Sequence, residues 1–307
     1  MRIAMIGLGR MGMGLTERLI QHGHEVVAFD LNPQSVLKAS EAGADAASSI
    51  AEAVKLLGKS PRVVWIMVPA GRAVDSVLET LKESLSAGDI VIDGGNSYYR
   101  DSMRRADDLA ARHVHFLDTG VSGGIWGLEE GFNLMTGGDS EAFAVVEPVF
   151  RALAPEGGYA HVGPSGAGHF VKMVHNGIEY GMMQAIAEGF ELIAAKREFQ
   201  VDLHKLARLW QRGSVIRSWL LDLTGNALEI DPDLGSLAPF VQDSGEGRWT
   251  IEESLQLSVP MPVTVLSLQM RYRSRQENSF ASRMLAALRN QFGGHAVKRR
   301  QEEGDAG

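Results

Sequence analysis

Lys172, His175, Asn176 and Glu179 bring a base, an imidazole, an amide and an acid into one short stretch, Lys172-Met173-Val174-His175-Asn176-Gly177-Ile178-Glu179-Tyr180. At about 3.6 residues per turn these four fall at i, i+3, i+4 and i+7, on one face of a helix that the pattern predicts over residues 167–195. Tyr180 flanks that face, while Phe170, Val174, Ile178, Met182, Ala185 and Ile186 fall on another. A lysine amine can take the proton of an alcohol when burial or neighbouring charge lowers its own hold on a proton. A carboxyl two turns along can return one. A polar stripe by itself is usually a solvated helix face. Here, however, its flanks are Gly, Met, Phe and Val rather than mixed charge, and ionisable groups are costly to bury without a partner or a use.

A base acting on an alcohol needs a hydride acceptor, and the start of the chain offers one. Residues 2–6 read as an apolar strand, Gly7-Leu8-Gly9-Arg10-Met11-Gly12 as a turn into a helix, and residues 25–29 as a second strand closing at Asp30. In this strand–turn–helix–strand setting the G-x-G-x-x-G pattern predicts a dinucleotide site. Gly7 permits the tight turn, Gly9 lets a pyrophosphate approach the backbone, and Gly12 lets the helix pack on the strand. The helix start offers N–H groups and partial positive charge to the phosphates. Asp30 can bond both adenosine-ribose hydroxyls and would repel a 2′-phosphate. No arginine follows in Leu31-Asn32-Pro33, so NAD is expected in preference to NADP. Val68, Pro69 and Ala70, at the end of the strand over residues 62–68, and Asn96 are assigned to the same cofactor.

Strands and helices keep alternating up to about residue 162, which implies a mainly parallel, doubly wound sheet. Ligands in such sheets lie beyond the carboxyl ends of the strands. The glycine-rich ends Asp93-Gly94-Gly95-Asn96-Ser97 and Gly120-Val121-Ser122-Gly123-Gly124 are therefore candidate site loops; the plainer reading is a pair of tight turns. After Gly163-Pro164-Ser165 the alternation stops, and helices are expected at about 167–195, 202–212, 215–223 and 262–292. Residues 231–249, rich in Pro, Gly, Asp and Ser, read as mixed loop and short helix. The expected architecture is α/β: a Rossmann-type doubly wound sheet over residues 1–164, followed by an all-α domain over 165–307. Lys298-Arg299-Arg300 and the residues after it read as a solvated tail.

With 307 residues and 45% hydrophobic content the chain can build two domains. A net charge of −8 argues against nucleic acid and an anionic membrane surface as partners. There are no cysteines, hence no disulfide framework, thiolate metal site or cysteine nucleophile, and no metal is called for. The first strand begins at once, with no signal peptide before it, and no apolar run reaches membrane-spanning length; a cytoplasmic enzyme is the default expectation. Simple alcohol oxidation has no need of a second acid. The pair Lys172 and Glu179 makes sense if the product is a β-keto acid that loses carbon dioxide, because the enediol carbon must then be reprotonated.

Several segments together resemble the 6-phosphogluconate dehydrogenases of the β-hydroxyacid dehydrogenase superfamily. They are the turn from Gly7 to Gly12, Ile92-Asp93-Gly94-Gly95-Asn96-Ser97, the loop from Gly120 to Gly124, the block from Lys172 to Tyr180, Ile216-Arg217-Ser218, Gly247-Arg248-Trp249-Thr250, and Arg289-Asn290-Gln291-Phe292-Gly293-Gly294-His295. Relatives acting on smaller hydroxyacids keep the Ser-Gly-Gly loop and the lysine but usually carry Asn-Asn after it. The resemblance implies oxidative decarboxylation of 6-phosphogluconate to ribulose 5-phosphate, with Lys172 as base for the 3-hydroxyl and Glu179 as the acid that protonates carbon 1. It implies that Asn96, Ser122, Gly123, Gly124, His175 and Asn176 hold the sugar acid, and that Tyr180 and Arg217 hold the phosphate. Arg289 and His295 match a tail motif that reaches a neighbouring subunit's site, which implies a homodimer or larger homo-oligomer with shared sites. Taken singly they read equally as a helix-end arginine and a surface histidine.

Three departures from the family pattern stand out. The helical part is much shorter than in the common long form, with its duplicated helices. Asp30-Leu31-Asn32 stands where NADP-using members carry Asn-Arg-Thr. A phosphate-binding lysine expected before the Gly-x-Gly-Arg/Lys-Trp turn is replaced by Asp243-Ser244-Gly245-Glu246. This last departure supports the alternative of an NAD-dependent dehydrogenase for another β-hydroxyacid or an unphosphorylated sugar acid. A non-catalytic nucleotide sensor on the same fold would need neither Lys172 nor Glu179.

Overall fold

Short runs of apolar residues, each closed by a turn, build one eight-stranded sheet in a computed structural model that describes residues 1–299. The end of the expected tail, from Arg300 onward, lies outside the described residues. The strands are β1 (Arg2–Ile6), β2 (Glu25–Phe29), β3 (Asp45–Ala46), β4 (Val63–Ile66), β5 (Ile90–Asp93), β6 (His115–Ser122), β7 (Asn133–Gly138) and β8 (Tyr159–Gly163), in spatial order β3-β2-β1-β4-β5-β6-β7-β8. Neighbours run parallel except β6 and β7. Among them lie α1 (Arg10–Gln21), α2 (Pro33–Glu41), α3 (Ile50–Leu56), α4 (Arg72–Lys82), α5 (Tyr99–Ala110), the one-turn α6 (Gly127–Glu130) and α7 (Ser140–Leu153).

The sheet explains why its central strands read as unbroken apolar runs. Successive side chains of a strand point to opposite faces. Ile3, Met5, Val63, Trp65, Ile90 and Ile92 join the core on one face, and Ala4, Ile6, Val64, Ile66 and Val91 join the core on the other. Both faces are covered by helices, so neither alternate set is left polar. The expected α/β fold with a doubly wound sheet and a helical remainder is the fold observed.

The helical remainder is α8 (Ala167–Ala195), α9 (Leu203–Trp210), α10 (Trp219–Ile230), α11 (Glu246–Gln256), α12 (Pro262–Ser274) and α13 (Phe280–Gly293). Two expectations are corrected. The helix read at 215–223 starts at Trp219, because Ser218 caps it by accepting the Leu221 N–H. The single helix read at 262–292 is two, the second capped by Ser279. Residues 231–249, read as mixed loop and short helix, are loop as far as Gly245, whose φ of +102° ends it, and α11 begins at Glu246.

Packing divides the chain into two compact units, Met1–Gly181 with Ser244–Thr264, and Met182–Asp243 with Val265–Gly307. This packing division falls within α8, because the first half of α8 rests on the sheet and α11 packs on α5 and α8. The second unit has a small core of its own around Phe190, Ala207, Leu221 and Leu228. No helix among the described residues is long and apolar enough to cross a membrane.

Candidate active site

The glycine turn between β1 and α1 has the close approaches its spacing predicts. Gly7 has φ +101°, and a Cβ there would fall 2.5 Å from the Met67 carbonyl oxygen. A Cβ on Gly12 would fall 2.1 Å from the Gly7 carbonyl oxygen, so only glycine lets α1 start this close to the strand. Above Gly9 the space is open: nothing lies within 4 Å of where its Cβ would stand. No side chain caps α1 at Gly9, which leaves the starting N–H groups at Arg10 and Met11 to the helix end itself. The Asp30 carboxylate is held in place, accepting the Leu8 N–H at 2.6 Å and the Asn32 N–H at 2.7 Å. An open cradle, a helix N-terminus and an anchored carboxylate fit a dinucleotide.

A buried network that sequence reasoning missed organises the loop after β5. Asp93 accepts the Gly95 N–H at 3.1 Å and the Ser97 hydroxyl at 2.7 Å. Arg105, 1% exposed, donates to Asp93, to Ser97 and to Asp75, and also to the carbonyl of Gly71 at 3.1 Å. One guanidinium therefore ties the loop that presents Asn96 to the turn Val68-Pro69-Ala70-Gly71. Ser102, Arg105 and Leu109 share the buried stripe of α5, but nothing in the sequence marks that stripe as the covered one. A Cβ on Gly94 would fall 2.2 Å from the Trp65 indole nitrogen, and one on Gly95 2.9 Å from the Val68 carbonyl oxygen, so this loop lies flat on β4. Asn96 itself is exposed.

The helix α8 is seated by Asp118. This buried carboxylate accepts the N–H groups of Gly166 at 2.7 Å and His169 at 2.9 Å, and burial pushes its proton affinity up. A Cβ on Gly168 would fall 2.1 Å from the Asp118 carbonyl oxygen, so the first turn of α8 lies directly against β6 and β7. One turn later, Gly120 makes room for Lys172: a Cβ there would come within 2.3 Å of the lysine Cβ and 2.9 Å of its Cγ. Beyond Gly120 the chain runs through half-buried Ser122, Gly123 at φ +130° and exposed Gly124 at φ +54°.

Lys172 is 6% exposed. Burial holds its ammonium below the usual lysine range, while the carboxylates of Glu179 and Glu246 pull the other way. His175 shares a 3.0 Å hydrogen bond with Asn176. The Tyr180 hydroxyl accepts the Ser244 N–H at 3.1 Å, and the residue is 5% exposed. Lys172 and Tyr180 therefore turn inward, His175, Asn176 and Glu179 are half-buried, and part of the apolar face turns outward: Ile178 is 55% exposed. The reason is α11. Its Thr250 hydroxyl donates to the Met173 carbonyl at 2.7 Å, and its Gly247 packs on the Tyr180 ring, where a Cβ would fall 2.6 Å from Cε2. Glu246, at the start of α11, closes the stretch Asp243-Ser244-Gly245-Glu246 in which the family pattern leads one to expect a lysine. Arg217, Arg289 and His295 belong to the second unit, and each is exposed there.

Comparison with known proteins gives a consistent result. Residues 2–163 match the NAD binding domain of 6-phosphogluconate dehydrogenase, and residues 168–283 and 193–306 match the 6-phosphogluconate dehydrogenase C-terminal domain. An NAD(+)-dependent, decarboxylating 6-phosphogluconate dehydrogenase of Haloferax volcanii is 47% identical over 98% of this chain and 100% of its own. An NADP(+)-dependent, decarboxylating one of Bacillus subtilis is 35% identical over 93% of this chain but only 64% of its own length. Among solved structures, the Plasmodium falciparum 6-phosphogluconate dehydrogenase superposes with a TM-score of 0.81 at 28% identity, covering 99% of this chain and 67% of the other.

Proposed function

The chain belongs to the 6-phosphogluconate dehydrogenase family, and from that premise we propose that it oxidatively decarboxylates 6-phosphogluconate to ribulose 5-phosphate and carbon dioxide, with NAD preferred over NADP. The observation that carries the reading is Lys172, a buried amine whose proton affinity is lowered by that burial, seated over Gly120 with the carboxylate of Glu179 acting on it. A lysine whose hold on its proton is weakened in this way can serve as a general base. The turn from Gly7 to Gly12 with Asp30, and the loop of Val68, Pro69 and Ala70, would hold the dinucleotide. Its nicotinamide ring, when bound, accepts the hydride that leaves carbon 3.

The protein's own residues handle the protons. Lys172 takes the proton of the 3-hydroxyl as the carbon–hydrogen bond is broken. The resulting 3-keto acid loses carbon 1 as carbon dioxide, and the protonated Lys172 steadies the charge that develops on the carbonyl oxygen. Glu179 then gives its proton to carbon 1 of the resulting enediolate, which was carbon 2 of the sugar acid; this restores the ketone, and the ketopentose phosphate leaves with Lys172 protonated and Glu179 ionised, both to be reset by solvent. Asn96, Ser122, Gly123, Gly124, His175 and Asn176 hold the sugar acid and its carboxylate. Tyr180 and Arg217 hold the phosphate, and Arg289 and His295 reach in from a neighbouring subunit.

A second reading, an unphosphorylated sugar acid or another β-hydroxyacid as substrate, is favoured by the acidic stretch from Asp243 to Glu246, where a lysine is expected. One assay tests both: follow NADH with 6-phosphogluconate and trap carbon dioxide, with gluconate in parallel. We expect both products from the phosphorylated acid and little from gluconate. Equal turnover of gluconate would transfer the assignment to the second reading, and neither product from either acid would leave no dehydrogenase to assign.

A further inference from the structure

The buried carboxylates are Asp89, Asp93, Asp118, Glu246 and Glu253 among the described residues. All but one are hydrogen-bonded. Asp89 accepts from Arg62 and the Ser86 N–H, Asp93 from Ser97, Asp118 from two backbone N–H groups, and Glu253 from Tyr99 and Arg100. Glu246 differs. It is 2% exposed, and both its carboxylate oxygens are buried with no hydrogen-bond partner among the described residues. An isolated buried carboxylate is among the most expensive groups a protein can keep. The start of α11 offers it partial positive charge, but a full counter-charge has to come from elsewhere.

The seam between α11 and α8 supplies one. Three contacts fix the first turn of α11 on the active-site segment of α8. Ser244 is bonded to the Tyr180 hydroxyl, Gly247 lies on the Tyr180 ring, and Thr250 bridges the carbonyls of Met173 and Glu246 at 2.7 and 2.8 Å. The root of Glu246 is thereby held within the stretch that carries Lys172, Glu179 and Tyr180. Charged groups reach Lys172 from few directions. On α8 itself Glu179 and His175 lie along the same face. On β6, Gly120 touches the lysine stem, and Asp118 is spent on the N–H groups of Gly166 and His169. From α11 comes Glu246, whose charge, after that of Glu179, favours the ammonium form against burial.

We propose that Glu246 is a positioning residue for Lys172, a counter-charge behind the base that holds its ammonium form in the empty site and so sets the pH at which the lysine becomes able to take a substrate proton. This rests on the assignment of Lys172 as the base. Glu246 is shut away from solvent, so it acts through Lys172 and takes no proton from substrate itself. The design also accounts for an acid in a stretch where phosphate binding would favour a lysine: the group serves the base rather than the phosphate.

The test is the pH profile of kcat/KM for Glu246→Gln, which keeps the shape and removes the charge. A carboxylate favours the protonated lysine, so its loss lets Lys172 give up its proton more easily. The acid-side limb is expected to move to lower pH by about half a unit or more. Glu246→Asp keeps the charge but draws it back, and its limb should move the same way by less; it decides the matter if Glu246→Gln does not fold. A limb that stays in place in the folded variants overturns the proposal. Lys172→Met is assayed alongside. If it is inactive while the limb of Glu246→Gln stays put, only the role of Glu246 falls. If Lys172→Met keeps its activity, the base itself is misassigned and both fall.

Discussion

At the scale of single residues, the proposed chemistry divides between a base that must lose its proton easily and an acid that must keep one available. Lys172→Met should lower kcat/KM by about a thousandfold or more while NAD still binds, as read by quenching of protein fluorescence. Retained turnover would remove the lysine from the mechanism. Glu179→Gln should lower kcat by about a hundredfold with little change in KM, and NADH should then appear ahead of the ketopentose in a rapid-quench experiment. Asp30→Ala removes the carboxylate proposed to bond the ribose and should narrow the preference for NAD over NADP by about tenfold, measured as the ratio of kcat/KM values. These residues were legible because their types are rare in their settings: a lysine and a glutamate two turns apart in an apolar helix, an acid at a strand end. Arg105 and Glu246 were not, because a charged residue in a sequence carries no mark of being buried. Only the packing of α5 on the sheet and of α11 on α8 puts them inside.

Elements do the positioning, and the close contact between β6 and α8 places Lys172. Asp118 seats the helix through two N–H groups, Gly168 lets its first turn lie on the strand, and Gly120 leaves the space taken by the lysine stem. Gly120→Ala should therefore push Lys172 out of line. We expect a loss of about a hundredfold in kcat/KM and of about 1–3 kcal/mol in stability, read by kinetics and urea unfolding. Wild-type kinetics in Gly120→Ala would show that Lys172 has no need of this seat. The long helix was visible from its apolar repeat, but not which face it buries. The repeat suggests Val174, Ile178 and Met182 as the natural core face, yet Ile178 and Met182 stand largely exposed while Lys172 and Tyr180 are covered. Periodicity reports that a helix has two faces; which one is covered depends on what arrives to cover it, here a helix some seventy residues further along the chain.

At the scale of the whole molecule, the second unit has a small core, and α13 has no buried residue at all. Phe280, Met284, Leu288 and Phe292 recur every fourth position on that helix, and all are exposed. A lone helix of this length gains little from its own hydrogen bonds and needs an apolar partner. Together with the family's shared-site tail, this leads us to expect a homo-oligomer. Light scattering should give a dimer or larger, and Leu288→Glu should weaken it. Mixing Lys172→Met with Arg289→Ala subunits should restore part of the activity if sites are completed between subunits; no recovery would assign Arg289 to its own chain. The sequence by itself determined the sheet, the dinucleotide turn and the block from Lys172 to Tyr180, because each is a local pattern of strand alternation, glycine at a close approach, or spacing along one helix. Tertiary structure alone decided that Lys172 and Tyr180 are buried while Ile178 is not, that Arg105 ties the loop after β5 to the turn at Gly71, and that Glu246 is buried with no hydrogen-bond partner among the described residues. Those facts depend on segments distant in sequence arriving at one place, and the free energy of a charge is set by whether water or protein surrounds it.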